Sequence, residues 1–215
     1  MVRAPRPTTS AADFLPPGRP SIEALRAAAA GCRGCDLWKR ATQTVFGEGR
    51  PHARIVFVGE QPGDQEDLQG RPFVGPAGAV LDRALRETGL ERESLYVTNA
   101  VKHFKWVQRG KRRIHQKPLV SQVAACRPWI EAEIAALGPE VIVALGATAG
   151  QALLGKAFKL TVERGRFFDR TEWSPATVFA TLHPSAVLRM PDPDTREEAY
   201  AGLVADLRKV RERVA

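Results

Sequence analysis

Lys111-Arg112-Arg113-Ile114-His115 combines three cations with an imidazole two residues after the last of them. The run lies in a segment, Lys102 to Lys117, that holds seven Lys or Arg and no acid. Basic side chains at that density suit phosphate oxygens. His115 is the one group there able to act as a nucleophile near neutral pH, because a neutral imidazole keeps a free lone pair. Alone, the run reads equally as a solvated basic loop with His115 a bystander, so its meaning depends on what else reaches the same place.

Other candidate chemistry is spread along the chain. Gly59-Glu60-Gln61-Pro62-Gly63 has Pro and Gly where a turn needs unusual backbone, and such turns can aim consecutive N–H groups at an anion. It lacks the Gly-Lys-Ser/Thr of a nucleotide P-loop. Glu60 and Asp64 flank it with carboxylates suited to catalysis. Cys32-Arg-Gly-Cys35 has metal-ligand spacing, Cys126 is a third thiol, and His103 is the best fourth ligand among four histidines. Zinc fits three Cys and one His. A cubane iron–sulfur cluster fits the thiolates as well, although His ligation is less usual there. Three buried thiols are the bland alternative. Phe73 sits in a polar loop, where it is either a satellite core residue or a ring that stacks on a planar ligand.

Positioning these groups requires a scaffold. Arg54–Gly59, Leu95–Thr98, Glu140–Leu145 and Thr177–Leu182 are short, nearly continuous apolar runs, as expected of strands covered on both faces of a parallel sheet. Helical patterns separate them at Ala77–Thr88, Pro118–Leu137, Ala147–Leu154 and Thr195–Val214, the first ending at Gly89. The alternation predicts an α/β fold, a three-layer αβα open sheet, mainly parallel. Ligands of such sheets bind beyond the carboxyl ends of the strands. The first strand runs into Glu60–Asp64, the second into Asn99, and the fourth into His183-Pro184-Ser185. The basic segment leaves the same rim just after Asn99. An acid, an amide and an imidazole therefore converge.

The chain has 215 residues, enough for one domain with a full core, and neither an internal repeat nor a second core is evident. A single domain is expected over residues 21–215. Residues 1–20 carry five prolines and no hydrophobic signal region, and are expected to be a flexible tail. The net charge of +8 fits a polyanionic partner. No apolar run approaches the length of a membrane span, so no membrane partner is expected. A cytoplasmic location with reduced thiols follows as the expectation, which argues against a disulfide framework.

Read together, Phe46-Gly47-Glu48-Gly49, Gly59–Gly63, Gly70-Arg-Pro-Phe-Val-Gly75, Val97-Thr-Asn99 and His183-Pro184-Ser185 resemble the uracil-DNA glycosylase superfamily, in the branch near family 4. The resemblance covers about residues 21 to 210. Two departures from family 4 stand out: His103 where that family has cysteine, and the Lys111–His115 run. Both resemble the UdgX type, whose members excise uracil and then become covalently bound to the resulting DNA site through the histidine of the basic loop. The resemblance implies a 4Fe-4S cluster on Cys32, Cys35, His103 and Cys126. It implies that Phe73 stacks on a flipped uracil, that Asn99 reads its polar edge, and that the backbone from Gln61 through Gly63 to Asp64 holds its carbonyls. It also implies that His183 donates to the departing base, that Glu60 orients or deprotonates a nucleophile, and that His115 is that nucleophile. Lys111, Arg112, Arg113, Ser185 and Arg189 are expected against the DNA. The partners so implied are uracil-containing DNA and uracil, with single strands favoured, and the protein is expected to be a monomer. Two other readings remain: a turnover glycosylase that uses the basic run only as a phosphate clamp, and a non-catalytic reader of damaged or single-stranded DNA.

Overall fold

The computed structural model describes residues 9–169 and 174–215. Its centre is a six-stranded sheet. The strands are β1 (Glu48–Gly49), β2 (Ile55–Gly59), β3 (Tyr96–Asn99), β6 (Val141–Leu145), β7 (Phe167–Phe168) and β8 (Thr177–Thr181), in the order β1-β3-β2-β6-β8-β7. The four inner strands are parallel, and the two short edge strands are antiparallel to their neighbours. A separate antiparallel hairpin, β4 (Trp106–Arg109) with β5 (Arg112–His115), completes the strands.

Every residue of β2 and β6 is buried, so both faces of the sheet are covered. Successive side chains of a strand point to opposite faces. Ile55 and Phe57 accordingly join Leu81 and Leu85 of α3 (Pro76–Thr88) and Leu203 and Leu207 of α8 (Pro193–Val214) in one core cluster. Val56 and Val58 join Ile130 and Ile134 of α4 (Val120–Leu137) and Ala149 and Leu153 of α5 (Gly146–Leu154) in the other. This is the expected three-layer αβα arrangement, and the four long strands and four long helices lie within two residues of their predicted bounds. Gly89 caps α3 as anticipated. No helix of the described residues is long and apolar enough to cross a membrane.

A third cluster lies to one side, where α1 (Ile22–Ala29) meets α4 around Leu25, Phe46 and Trp129. It takes in part of the stretch expected to be a flexible tail: Ala11 is buried in this cluster, within a short 3-10 helix (Ala11–Phe14) capped by Ser10. Residues 1–8 of the predicted tail lie outside the described residues.

Periodicity did not reveal the small elements. β1 and β7 have two residues each, too few to show a period. Helix α2 (Asp64–Gln69) is six mostly polar residues with no apolar stripe. The basic loop is in fact the β4–β5 hairpin, turning at Gly110-Lys111 with Gly110 at φ 58°.

Candidate active site

A cavity of about 340 Å³ opens at the carboxyl ends of the parallel strands. Glu60, Gln61, Gly63 and Asp64 reach it from the end of β2, and Asn99 from β3. Phe73 enters from the α2–α3 connection and His115 from β5. His183, Ser185 and Arg189 enter from the short helix α7 (Pro184–Leu188) and its borders. Ten of the predicted site residues thus line one cavity.

Gly59 makes part of this possible. A side chain there would collide with Asn99 Oδ1 and with the Phe73 ring, so only glycine lets both lie over the end of β2. Phe73 has φ 57°, a left-handed conformation that costs a bulky residue about 1–3 kcal/mol. Its ring lies nearly parallel to that of His183, 26° between planes and 6.1 Å between centroids. The ring is buried in the core cluster of Ile55 and Phe57 and also forms part of the cavity wall.

The electrostatics are specific. His115 Nε2 lies 3.3 Å from Glu60 Oε1. The other Glu60 oxygen accepts a hydrogen bond from Thr148 Oγ1. Burial pushes the Glu60 carboxyl up, but the bonds from His115 and Thr148, with the charges of His115 and His183, outweigh it and hold the group below its usual range. Glu60 is thus an ionised carboxylate that accepts hydrogen bonds from His115 and Thr148. His183 differs: burial pulls its pKa down to about 4, against the opposing charge of Glu60, so the ring is neutral at physiological pH. Its Nδ1 accepts the Ser185 N–H at 3.1 Å, which assigns the proton to Nε2 and makes that atom a donor.

The side-chain contacts of three predicted site residues are with the protein itself. Arg113 is not a free phosphate ligand. Its guanidinium donates to Asp64 Oδ1 at 2.5 Å, Asp67 Oδ2 at 2.6 Å and Thr42 Oγ1 at 3.1 Å, which ties the hairpin to α2. Asp64, placed on the substrate by sequence, spends its carboxylate on that tie. Gln61 also serves the hairpin: its side-chain amide bonds the carbonyls of Lys105 and Gln116 and the N–H of Lys105, leaving only its backbone for a ligand. Lys111 and Arg112 are exposed at the hairpin tip, outside the cavity wall. Ser185 Oγ accepts from Arg189 Nη1 at 3.1 Å, so the two form one polar unit at the cavity mouth.

Thr148 was missed. It follows β6 in Gly146-Ala147-Thr148, and the rule that found Glu60, Asn99 and His183 at strand ends reaches it when applied to the third parallel strand.

The four predicted metal ligands lie away from this cavity. Cys32 and Cys126 are buried in the third cluster, with Cys35 packed against it. The Trp129 indole N–H points at Cys32 Sγ at 3.2 Å, and the Lys102 N–H at Cys126 Sγ at 3.3 Å. Burial pushes the Cys126 thiol up to about 12 and the Cys35 thiol upward too. His103 Nε2 is 2.9 Å from Thr44 Oγ1, and burial pulls its pKa down to about 4. Among the described residues no three His, Cys, Asp or Glu groups gather closely enough to hold one metal ion.

Comparison with known proteins agrees with the geometry. The profile described as Uracil DNA glycosylase superfamily matches residues 46–208, so the chain belongs to that superfamily. It is 42% identical to a type-4 uracil-DNA glycosylase of Thermotoga maritima over 160 residues, 74% of this chain and 78% of that one. It is 35% identical to a type-4 uracil-DNA glycosylase of Sulfurisphaera tokodaii over 198 residues, 89% of this chain and 84% of that one. A third, from Archaeoglobus fulgidus, is 39% identical over 173 residues, 78% of this chain and 82% of that one.

Proposed function

We propose that this protein is a uracil-DNA glycosylase that excises uracil and is then held covalently on the abasic site through His115. The observation that carries the second half is the His115–Glu60 contact inside the cavity: a nucleophile and a carboxylate 3.3 Å apart where the sugar would lie.

The chemistry proceeds as follows. The target nucleotide leaves the stack, at least cost in single-stranded DNA. Phe73 takes one face of the base and the Asn99 amide its polar edge, so uracil is told from cytosine by donor and acceptor pattern. The bond between sugar and base breaks, and the base keeps the electron pair. His183 Nε2–H donates to the carbonyl that gathers the charge, and a fixed donor of this kind lowers the barrier by about 3–4 kcal/mol. The imidazole lone pair of His115 then forms a bond to the cationic sugar carbon. The N–H proton left on the cationic ring is lost to Glu60 or solvent, giving a neutral adduct with no good leaving group. Lys111 and Arg112 hold the flanking phosphates, while Arg113 positions His115.

The residue types at and beside the third cluster would suit a 4Fe-4S group: three thiols, two of them facing N–H donors, and His103, kept neutral with a lone pair to offer. Cys126 would ionise there only with a cation beside it. Such a cluster would be structural, joining the Cys32–Cys35 segment to α4. Purified protein is then expected to be yellow-brown with about four irons per chain. Cys126→Ala should lose the iron and lower the melting temperature; an iron-free wild type with the same melting temperature as the variant would remove the cluster from the reading.

The overall test is a uracil-containing single-stranded oligonucleotide mixed with excess protein and run on a denaturing gel. A slow-migrating adduct supports trapping. Abasic DNA without adduct supports the turnover glycosylase, and neither product supports the non-catalytic reader. On the same strand without uracil, Arg112→Glu should weaken binding and lower the salt slope by about one phosphate contact. An unchanged slope would place Arg112 off the DNA.

A further inference from the structure

Lys102 and Glu133 form an ion pair with both side chains fully buried, at the junction of β3, α4 and the segment that carries His103. Neither touches the cavity, yet every polar atom of the pair is used. The Lys102 ammonium donates to Glu133 Oε2, to Thr98 Oγ1 at 2.6 Å and to the backbone carbonyl of Asn99 at 2.8 Å. That accounts for all three of its protons. Glu133 Oε1 accepts from Tyr96 Oη at 2.9 Å, Thr98 Oγ1 at 3.0 Å and the Gly47 N–H at 3.2 Å. A side chain at Gly47 would strike both Glu133 Oε1 and the Tyr96 hydroxyl.

Burying such a pair costs several kcal/mol per ion before attraction returns any of it, and apolar residues of the same volume would often be as stable. Stability alone is therefore a poor reason for it. Its geometry supplies a better one. Asn99 is the last residue of β3, and the next two N–H groups, of Ala100 and Val101, are spent on the carbonyls of Gly59 and Glu60. The chain turns away from the sheet there, and the ammonium holds the Asn99 carbonyl at the turn. The peptide plane so fixed carries the Asn99 side chain into the cavity.

We propose that Lys102, held by Glu133, is a positioning residue for the base-reading Asn99: its ammonium sets the peptide that aims the Asn99 amide. This rests on the glycosylase reading above and deepens it. The same lysine's main-chain N–H faces Cys126, so the third cluster and the base reader share one rigid connection.

The test is a double-mutant cycle on single-turnover uracil excision. Lys102→Met keeps the stem and removes the charge. It should leave binding of uracil-free single-stranded DNA within about twofold and cut excision by up to ~10²-fold, the cost expected of a misplaced contact. In an Asn99→Ala background the same change should cost less than about threefold, because there is no amide left to aim. A generally weakened structure would instead slow excision by the same factor in both backgrounds, and that result, like an undiminished rate in Lys102→Met alone, overturns the proposal. If Lys102→Met does not fold, Thr98→Val removes one of the three acceptors while keeping the charges. Its smaller loss should likewise vanish without Asn99, and an equal loss in both backgrounds would again reject the role. A wild type that releases no uracil would overturn the glycosylase reading and this inference together, which separates that failure from an additive cycle.

Discussion

His115→Ser will release uracil and form no adduct that survives denaturation. The argument is one of order. If the base departs before the new bond forms, the histidine is not needed to break the glycosidic bond, and the donors that ease departure, His183 above all, remain in place. Serine is too short to reach the sugar carbon from β5 and too weakly nucleophilic to compete. Loss of a tethered imidazole removes its effective-concentration advantage, so adduct should fall by at least ~10²-fold, to background. Glu60 keeps its bond to Thr148 and can orient a water in the vacated space. More than one uracil should then be released per protein molecule. Alkali-treated and untreated lanes of a denaturing gel distinguish abasic product from adduct. A variant that forms as much adduct as the wild type would mean another residue traps the sugar. One that loses excision and adduct equally would mean His115 acts before the bond breaks.

The parts of this site that could be read from residues are those tied to buried parallel strands. Such strands are apolar at every position, so they stand out, and their carboxyl ends point at the ligand. That placed Glu60, Asn99 and His183 on one rim without coordinates. The hairpin was illegible because Trp106–Arg109 and Arg112–His115 show no apolar alternation; mostly exposed, they are held by contacts distant in sequence. Gln61 and Arg113 supply those contacts with their side chains. A glutamine beside a catalytic acid and an arginine in a basic run have the same local signature whether they face a substrate or brace a strand. Only the partners decide, and here they are Lys105, Gln116, Asp64 and Asp67. The Lys102–Glu133 pair was hidden for a similar reason: 31 residues separate its members, and neither lies in a motif that suggests burial.

His183→Ala should slow excision by ~10²–10³-fold, the usual cost of one fixed donor to a developing anion. Adduct formation should fall by the same factor, because trapping follows departure of the base; His115→Ser, by contrast, separates the two. The donor is a neutral ring. Burial, with the charges of Arg189 and His115, pulls the His183 pKa from 6.5 to about 4 against the pull of Glu60. Excision that depends on Nε2–H should therefore need no protonation of this residue, and its rate should not climb as pH falls from about 8 to about 5. A rate that rises through pH 6 would show a cationic acid at work and reject the neutral donor. The same shift has a stability consequence of definite sign. Between 6.5 and about 4 the unfolded chain takes up a proton at this position and the folded one does not. The stabilisation from the neutral ring is thus complete above 6.5 and is lost as pH falls toward 4. Protonation below that window would also take Nδ1 from the Ser185 N–H and unseat the start of α7. Over that interval the melting temperature of the wild type should fall more than that of His183→Ala, which has no ring to protonate. Equal slopes would mean that the ring is not held neutral by the fold, and the donor role assigned to Nε2 would lose its physical basis.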